Sequence, residues 1–275
     1  MSVQESSLPV GGQSATIGAR EGSFFSDMRS VASRALRLIP REPESIIPAL
    51  VIPTFFFVVY IGSLQDLAES SSGGTLDFKA FQLPVAIIFA VTGVSRAASL
   101  VTDIQNGYFD RLLMTPVRRS ALLLGLMVAD FVLVCALCVP VIILGFAVGV
   151  RFETGILGVL VFILLGGLWG LAFTGFPYAI ALKTGNPAAV NTSFLLFFPF
   201  AFLTTSQVPL EFMTGWLRTV ARVNPITYLL DGMRSLVTEG WDVGALAGAL
   251  GAILALGSIA FPLAFLALRG RVSQR

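Results

Sequence analysis

The sequence predicts an all-α membrane protein with six transmembrane helices, and three observations carry that expectation. Composition is the first. Of the residues, 55% are hydrophobic and 12% charged, with a mean hydropathy of +0.85, which leaves a water-soluble globule too little polar surface to cover itself. Length is the second: a hydrocarbon core about 30 Å thick needs about 20 apolar residues per helix. The runs near 46–64, 81–102, 120–149, 155–182, 190–209 and 243–268 meet that requirement. Periodicity is the third, because barrel strands alternate in short segments and these runs do not.

Residues 1–23 are rich in Ser, Gly and Gln and lack the apolar core of a signal peptide, so they read as a disordered cytosolic tail. From Phe24 a helical stripe begins: Phe24, Met28, Val31, Ala35 and Leu38 recur at spacings of three and four, with Arg29, Ser33 and Arg37 on another face. The pattern predicts an amphipathic helix over 24–42 lying in the membrane interface, its arginines near anionic headgroups. Pro40 and Pro43 end it before the first span. It is either a simple basic anchor or a helix that also borders a cytosolic partner. The third and fourth apolar runs exceed the minimum length and can tilt or begin outside the hydrocarbon.

Placement of Lys and Arg sets the orientation. Arg20, Arg29, Arg34, Arg37 and Arg41 precede the first span, and an inside amino terminus adds Arg111, Arg118, Arg119, Lys183, Arg269, Arg271 and Arg275 to the same side. Lys79, Arg151, Arg218, Arg222 and Arg234 fall outside. Six spans then leave both termini, including a short tail at 271–275, in the cytosol of a cell's inner (plasma) membrane.

Between the second and third spans lies Asp103–Arg119, a segment with two acids, three arginines and a helical apolar stripe of Phe109, Leu112 and Leu113. Gly107 permits a tight entry, Asp110 and Arg111 can orient the helix through charge pairs, and Thr115-Pro116 stops it. A short amphipathic helix held at the membrane face is shaped to be pushed from the cytosol, its apolar face of Phe109, Leu112 and Leu113 seated in a cleft on a cytosolic partner. An ordinary charged loop is the plainer alternative.

A second signal follows the fifth span. Residues 211–223 place Phe212, Trp216 and Val220 on one side, with Arg218 and Arg222 off it. Asn224-Pro225 then restarts a helix, Asn as cap and Pro in the first position. It continues with an apolar stripe of Ile226, Leu229, Leu230, Met233, Leu236 and Val237. Two short helices between long spans predict a re-entrant pair on the outer side. Non-helical backbone at that depth must be buried in protein or line a wet cavity, so the pair, with Trp216, Asn224, Pro225, Tyr228 and Arg234, is a candidate outer gate. A surface hairpin is the competing reading.

Chemistry-bearing residues are few. There is no histidine, and Cys135 and Cys138 lie mid-span, where packing explains their C-x-x-C spacing better than redox or metal chemistry. No nucleophile triad, metal-ligand cluster or G-x-x-x-x-G-K-[ST] phosphate loop occurs, and Lys79 and Lys183 are the only lysines. No catalytic residue, metal or cofactor is expected on this chain, and no nucleic-acid partner; ATP hydrolysis by the chain alone is excluded. Within the spans, Arg96 and Asp130 are the clear charges, costly by about 2.5–3.5 kcal/mol each on insertion scales. They form either a structural pair or a case of snorkelling by Arg96. Phe194, Phe197 and Phe198, with Phe200 and Phe202, either line an aromatic cavity or face lipid.

The pattern Gly-x-Phe-Asp-Arg-Leu-Leu-x-Thr-Pro-Val-x-Arg at 107–119 resembles the coupling-helix segment of type-2 ABC exporter permeases. Asn224-Pro-x-Thr-Tyr-x-x-Asp-x-x-Arg234 is similar to the signature before their last span. Order and six-span plan agree over about residues 24–270, with 43–270 as the permease domain, and the chain looks most like the drug- and lipid-export branch, such as daunorubicin-resistance permeases. Asp103 and Gln105 depart from the glutamate-rich run often found there. The resemblance implies pairing with a second permease copy or paralogue and with two copies of a separate ATPase subunit that holds ATP and Mg. It also implies an exported substrate that is hydrophobic or amphipathic (a drug, a lipid or a glycolipid/polysaccharide), and a cavity faced by the second and fifth spans. Other classes remain: an ion-gradient-driven carrier, for which only Asp130 is a candidate acid, a membrane-embedded lipid enzyme, or a non-transporting scaffold.

Overall fold

A computed structural model describes residues 23–41, 43–114 and 118–273 and, among them, contains helices and no strand. In chain order the helices are α1 (Phe24–Leu38), α2 (Pro43–Ser71), α3 (Phe78–Thr92), α4 (Ala97–Gln105), α5 (Tyr108–Leu113) and α6 (Arg119–Ala147). They continue as α7 (Gly155–Thr184), α8 (Pro187–Phe202), α9 (Gly215–Val223), α10 (Pro225–Thr238) and α11 (Val243–Ser273). Five segments are long and apolar enough to cross a membrane: Ile46–Ser71, Phe78–Gln105, Arg119–Ala147, Gly155–Thr184 and Val243–Arg271. The run expected to span at 190–209 differs. Its helix, α8, has only 16 residues and unwinds at Leu203, about 24 Å of helix against a 30 Å core.

The second run also departs from a plain span. Instead of one helix over 81–102, α3 stops at Thr92 and α4 starts at Ala97, with Gly93–Arg96 between them outside the helical pattern. Each half belongs to a different core. Leu83, Ile87, Ile88 and Val91 of α3 pack with α6, α7 and α10, whereas Ala97, Leu100, Val101 and Ile104 of α4 pack with Ala35, Phe109, Leu122, Tyr178 and Leu268.

Helix α7 is the hub, touching α11, α6, α8, α3 and α4. Lipid tails are as apolar as leucine, so helices in a membrane associate through close packing at small residues. Gly170 and Gly175 provide it: a Cβ at Gly170 would lie 2.8 Å from Val134 Cγ1, and one at Gly175 2.6 Å from the Ala260 carbonyl. Cys135 and Cys138 occupy the same kind of notch, against Gly167 and Gly166. Helix α2 is peripheral, with 11% of its span buried, and leans chiefly on α3.

The helix from Phe24 stops at Leu38, and a 3-10 turn over Ile39–Arg41 carries the chain toward α2. Its apolar stripe meets protein. Helix α1 packs along α6, where Gly125 has no room for a side chain: a Cβ there would come within 2.7 Å of Val31 Cβ and 2.8 Å of the Met28 carbonyl oxygen.

Candidate functional site

Gly107 adopts φ +68°, the left-handed region that favours glycine, and turns the chain from α4 into α5. The apolar face of α5 was expected to meet a partner protein. Phe109 instead points into the chain itself: it is 4% exposed and packs in the core that holds Ala35, Ile104 and Leu122, with Leu112 half-buried on the same cluster. Arg111 and Met114 face outward, Met114 80% exposed. Thr115 and Pro116, and the side chains of Asp110 and Leu113, lie outside the described residues.

Helix α1 grips this unit from the side. Arg34 donates to both Asp103 carboxylate oxygens, at 3.1 and 3.3 Å, and its guanidinium carbon lies 4.1 Å from the centre of the Tyr108 ring. The Asp103 hydrogen bond holds the guanidinium above its ordinary pKa. Gln105 donates to the Gly185 carbonyl at 3.0 Å, so α4 is also fastened to the end of α7. The sequence placed Asp103 and Gln105 in the moving segment but offered no sign that Arg34 was the partner.

A break in a membrane span leaves amide groups without helical acceptors, and in hydrocarbon each must find one. Asp130 of α6 is that acceptor. Its fully buried carboxylate accepts from the Arg96 amide at 3.0 Å, the Tyr178 hydroxyl at 2.8 Å and Ser95 Oγ at 3.4 Å. Ser95 Oγ in turn accepts from the Ala97 amide at 3.1 Å. Arg96 and Asp130 thus do meet, through the main chain of Arg96. Tyr178 and Ser95 escaped the sequence reading; a single tyrosine inside the apolar run of α7 was the available signal.

Above the break, α2, α3 and α8 enclose a cavity of about 400 Å³. Phe89, Phe194, Phe198 and Phe202 form its aromatic wall, their rings meeting at centroid distances of 5.0–6.0 Å, partly edge-on. The Gln82 side chain, 2% exposed, also reaches it, and its amide nitrogen has no hydrogen-bond partner. Phe197 is absent from this wall; it is buried against Phe89 and Phe173. Phe200 faces outward.

At the opposite end, the unwound backbone after α8 is held by two side chains. Asn224 Nδ2 donates to the carbonyls of Phe200 and Leu203 at 2.7 and 3.0 Å while its Oδ1 caps α10 at the Ile226 amide, 2.9 Å away. Pro225 follows in the first helical position. The Arg234 guanidinium donates to Thr205 Oγ1 at 3.0 Å, the Thr205 carbonyl at 2.8 Å and the Phe81 carbonyl at 3.2 Å, and lies 3.6 Å from the centre of the Phe81 ring. Helix α10 sinks between α11, α3 and α7, leaving only Tyr228, Asp231 and Thr238 exposed; the Tyr228 hydroxyl donates to the Arg222 carbonyl at 2.7 Å. In α9 the predicted phase is rotated. Leu217, Val220 and Ala221 face inward, while Phe212, just before the helix, and Trp216 are exposed, Trp216 by 70%.

A bundle of apolar helices with an interrupted span, a partly open aromatic cavity and short helices at both ends has the form of a membrane transport protein. Comparison with known families agrees. The profile of the ABC-2 type transporter family matches residues 27–238, and the chain belongs to that family. It is 28% identical over 255 residues to the daunorubicin resistance ABC transporter permease protein DrrB1 of Streptomyces coeruleorubidus, covering 87% of this chain and 88% of that one. A probable doxorubicin resistance ABC transporter permease protein, DrrC of Mycobacterium tuberculosis, is 25% identical over 222 residues, 79% of each chain. The putative transport permease ycf38 of Cyanophora paradoxa is 23% identical over 222 residues, 78% of this chain and 76% of that one.

Proposed function

We propose that the chain is the permease half of an ATP-driven exporter of amphipathic, planar aromatic compounds such as the anthracyclines named for its relatives. The aromatic cavity beside the broken span carries this reading. Four phenylalanine rings favour a flat apolar body through edge and face contacts, and the buried Gln82 amide offers one hydrogen bond to a substrate oxygen. A site with few placed polar groups in an apolar wall is the usual form of a small-molecule pocket.

Energy enters at the other end. In this reading α5 is the coupling helix: Phe109 roots it in the permease, and Arg111 and Met114 present its outer side to a separate ATPase. Two ATPase copies, carrying ATP and Mg, serve a pair of permeases formed by this chain and a second copy or a paralogue. Helix α8 completes a sixth span, its shortfall filled by residues 203–209, whose carbonyls are met by Asn224 and Arg234. Six spans put both termini in the cytosol of the inner membrane, and α9 with α10 closes the outer side.

The test is co-expression with a candidate ABC ATPase, followed by purification and reconstitution. The reading requires retention of the ATPase and doxorubicin-stimulated ATP hydrolysis. It is overturned if no ATPase is retained, or if an ion gradient alone drives uptake into ATP-free vesicles. Thiol labelling checks orientation: Ser71→Cys and Thr154→Cys react with an impermeant reagent outside intact cells, and Met114→Cys does not.

A further inference from the structure

Two cavities flank the break in span 2 and share it as a common wall. The second, of about 300 Å³, lies beneath the elbow between α1 and α2; Val94, Ser95 and Ala98 line both. Their chemistries differ. The elbow cavity is amphipathic, with Arg34, Asp103 and Thr102 along one side and Ile46, Leu126 and Leu133 along the other. The chamber above is aromatic, with Gln82 as its buried amide. Polar at one edge and apolar at the other, the elbow cavity matches a molecule that waits at a leaflet boundary before entering the hydrocarbon.

We propose that the elbow cavity is an entry subsite for the amphipathic aromatic substrate, and that α4 is the valve between it and the aromatic chamber. This rests on the exporter reading above. Within the wall, in the interior of span 2, the Arg96 and Ala97 amides are held by side chains, Asp130 and Ser95, instead of a helical ladder. Below it, α4 shares a core with Phe109 of α5 and is tied to α1 by Arg34–Asp103; above it, α3 belongs to the other core. A push on α5 therefore moves α4 against a stationary α3, and the strain collects at Gly93–Arg96. The upper chamber registers it directly, because Gly93 already abuts Phe194: a Cβ there would lie 3.0 Å from the ring. Helix α2, the outer wall of the upper chamber, is little buried and leaves room for the displacement.

The experiment uses the reconstituted complex with its ATPase, Cys135→Ala and Cys138→Ala removing the native thiols. Thr102→Cys reports the elbow cavity and Asn191→Cys the aromatic one; doxorubicin is the probe and N-ethylmaleimide the label. At twice its apparent Kd the drug slows labelling about threefold at both positions. Filling the elbow with Thr102→Trp, at an exposed position that leaves the fold intact, slows the onset of protection at Asn191→Cys about tenfold while leaving its equilibrium extent unchanged. Protection at Asn191→Cys alone, or an onset that Thr102→Trp leaves unchanged, overturns the entry subsite and spares the exporter. Protection at neither position together with unstimulated ATP hydrolysis overturns both, whereas stimulated ATP hydrolysis without protection at either position overturns the two cavities while retaining the coupling to ATP.

Discussion

Replacing Arg234 with methionine tests how the unwound end of α8 is held. Methionine keeps much of the stem volume and removes all five donors, so the change is electrostatic before it is steric. The Phe81 carbonyl sits within the α3 ladder and retains a helical partner, which leaves Thr205 with the loss. Two buried acceptors stripped of donors cost about 1–3 kcal/mol each, partly offset by no longer burying a guanidinium, itself a penalty of several kcal/mol. A net local loss of about 3 kcal/mol raises the open population of the segment by about two orders of magnitude. Hydrogen exchange in lipid nanodiscs reads it at the Leu203 and Ser206 amides, which are bonded to Pro199 O and Thr204 Oγ1. Exchange there accelerates about a hundredfold while amides of α6 and α7 stay protected. Arg234→Lys recovers only part, since one ammonium cannot reproduce the planar fork. Unchanged exchange at 203–206, or an equal acceleration in every span, refutes the idea that Arg234 fastens this segment.

Phe109→Ala lowers the melting temperature of the purified chain without its ATPase, because a buried Phe→Ala change costs about 3–5 kcal/mol; a side chain that only contacts a partner leaves that temperature unmoved. Arg111→Glu does the reverse, reducing ATPase retention with the lone chain's melting unchanged. Gly125→Val drives α1 off α6, at about 1–3 kcal/mol of overpacking, and shows as faster proteolysis within residues 24–41; an intact α1 after such treatment contradicts the close approach. Asn224→Ala exceeds the usual cap loss of about 1 kcal/mol, since the carbonyls of Phe200 and Leu203 lose their donor as well, so exchange at Leu203 and Thr204 rises along with that of the first turn of α10. A rise confined to α10 counts against the double role.

Long apolar runs were legible because length and composition alone set them, and α2, α6, α7 and α11 lie where those runs do. Caps were legible for the same local reason: Gly107 and Asn224-Pro225 start their helices as read. The break at Gly93–Arg96 was not. Gly93, Ser95 and Arg96 interrupt the run, but Val94, Ala97 and Ala98 keep it apolar on either side, and the acceptor that makes the break tolerable, Asp130, sits on a different helix 34 residues from Arg96. The phase of α9 was misjudged because Trp216 carries more apolar weight than Ala221, yet the face that meets the chain is that of Leu217, Val220 and Ala221. The stripe on α5 was right in position and wrong in destination, since periodicity marks an apolar face without saying which protein covers it.

That destination changes what a coupling helix can be. Had Phe109 filled a pocket on another protein, the permease would be passive until contacted, and the strength of coupling would depend on the partner's grip. With Phe109 rooted among Ala35, Ile104 and Leu122, α5 is already one body with α4, and Arg34 adds α1 to it through Asp103. Force applied to outward groups such as Arg111 and Met114 then passes directly into α4, which Gln105 also ties to the end of α7, and reaches Gly93. Beyond Gly93 the chain enters the second core, which α7 holds at its close-packed glycines. At the break the Asp130 cluster fastens Ser95 and Arg96 to α6 and, through Tyr178, to α7, and hydrogen bonds to a carboxylate in a dry interior are strong when made and costly when broken. Asp130→Ala therefore does more than weaken the fold: it frees the break between α3 and α4 from α6 and from Tyr178 of α7. In the reconstituted complex the expected result is ATP hydrolysis that persists without doxorubicin stimulation. Tyr178→Phe, which deletes one of the three donors and leaves the Arg96 amide in place, reduces the stimulation in part. Full stimulation in Asp130→Ala would show that force crosses from α4 to α3 by packing alone, and the hinge would have to be sought elsewhere.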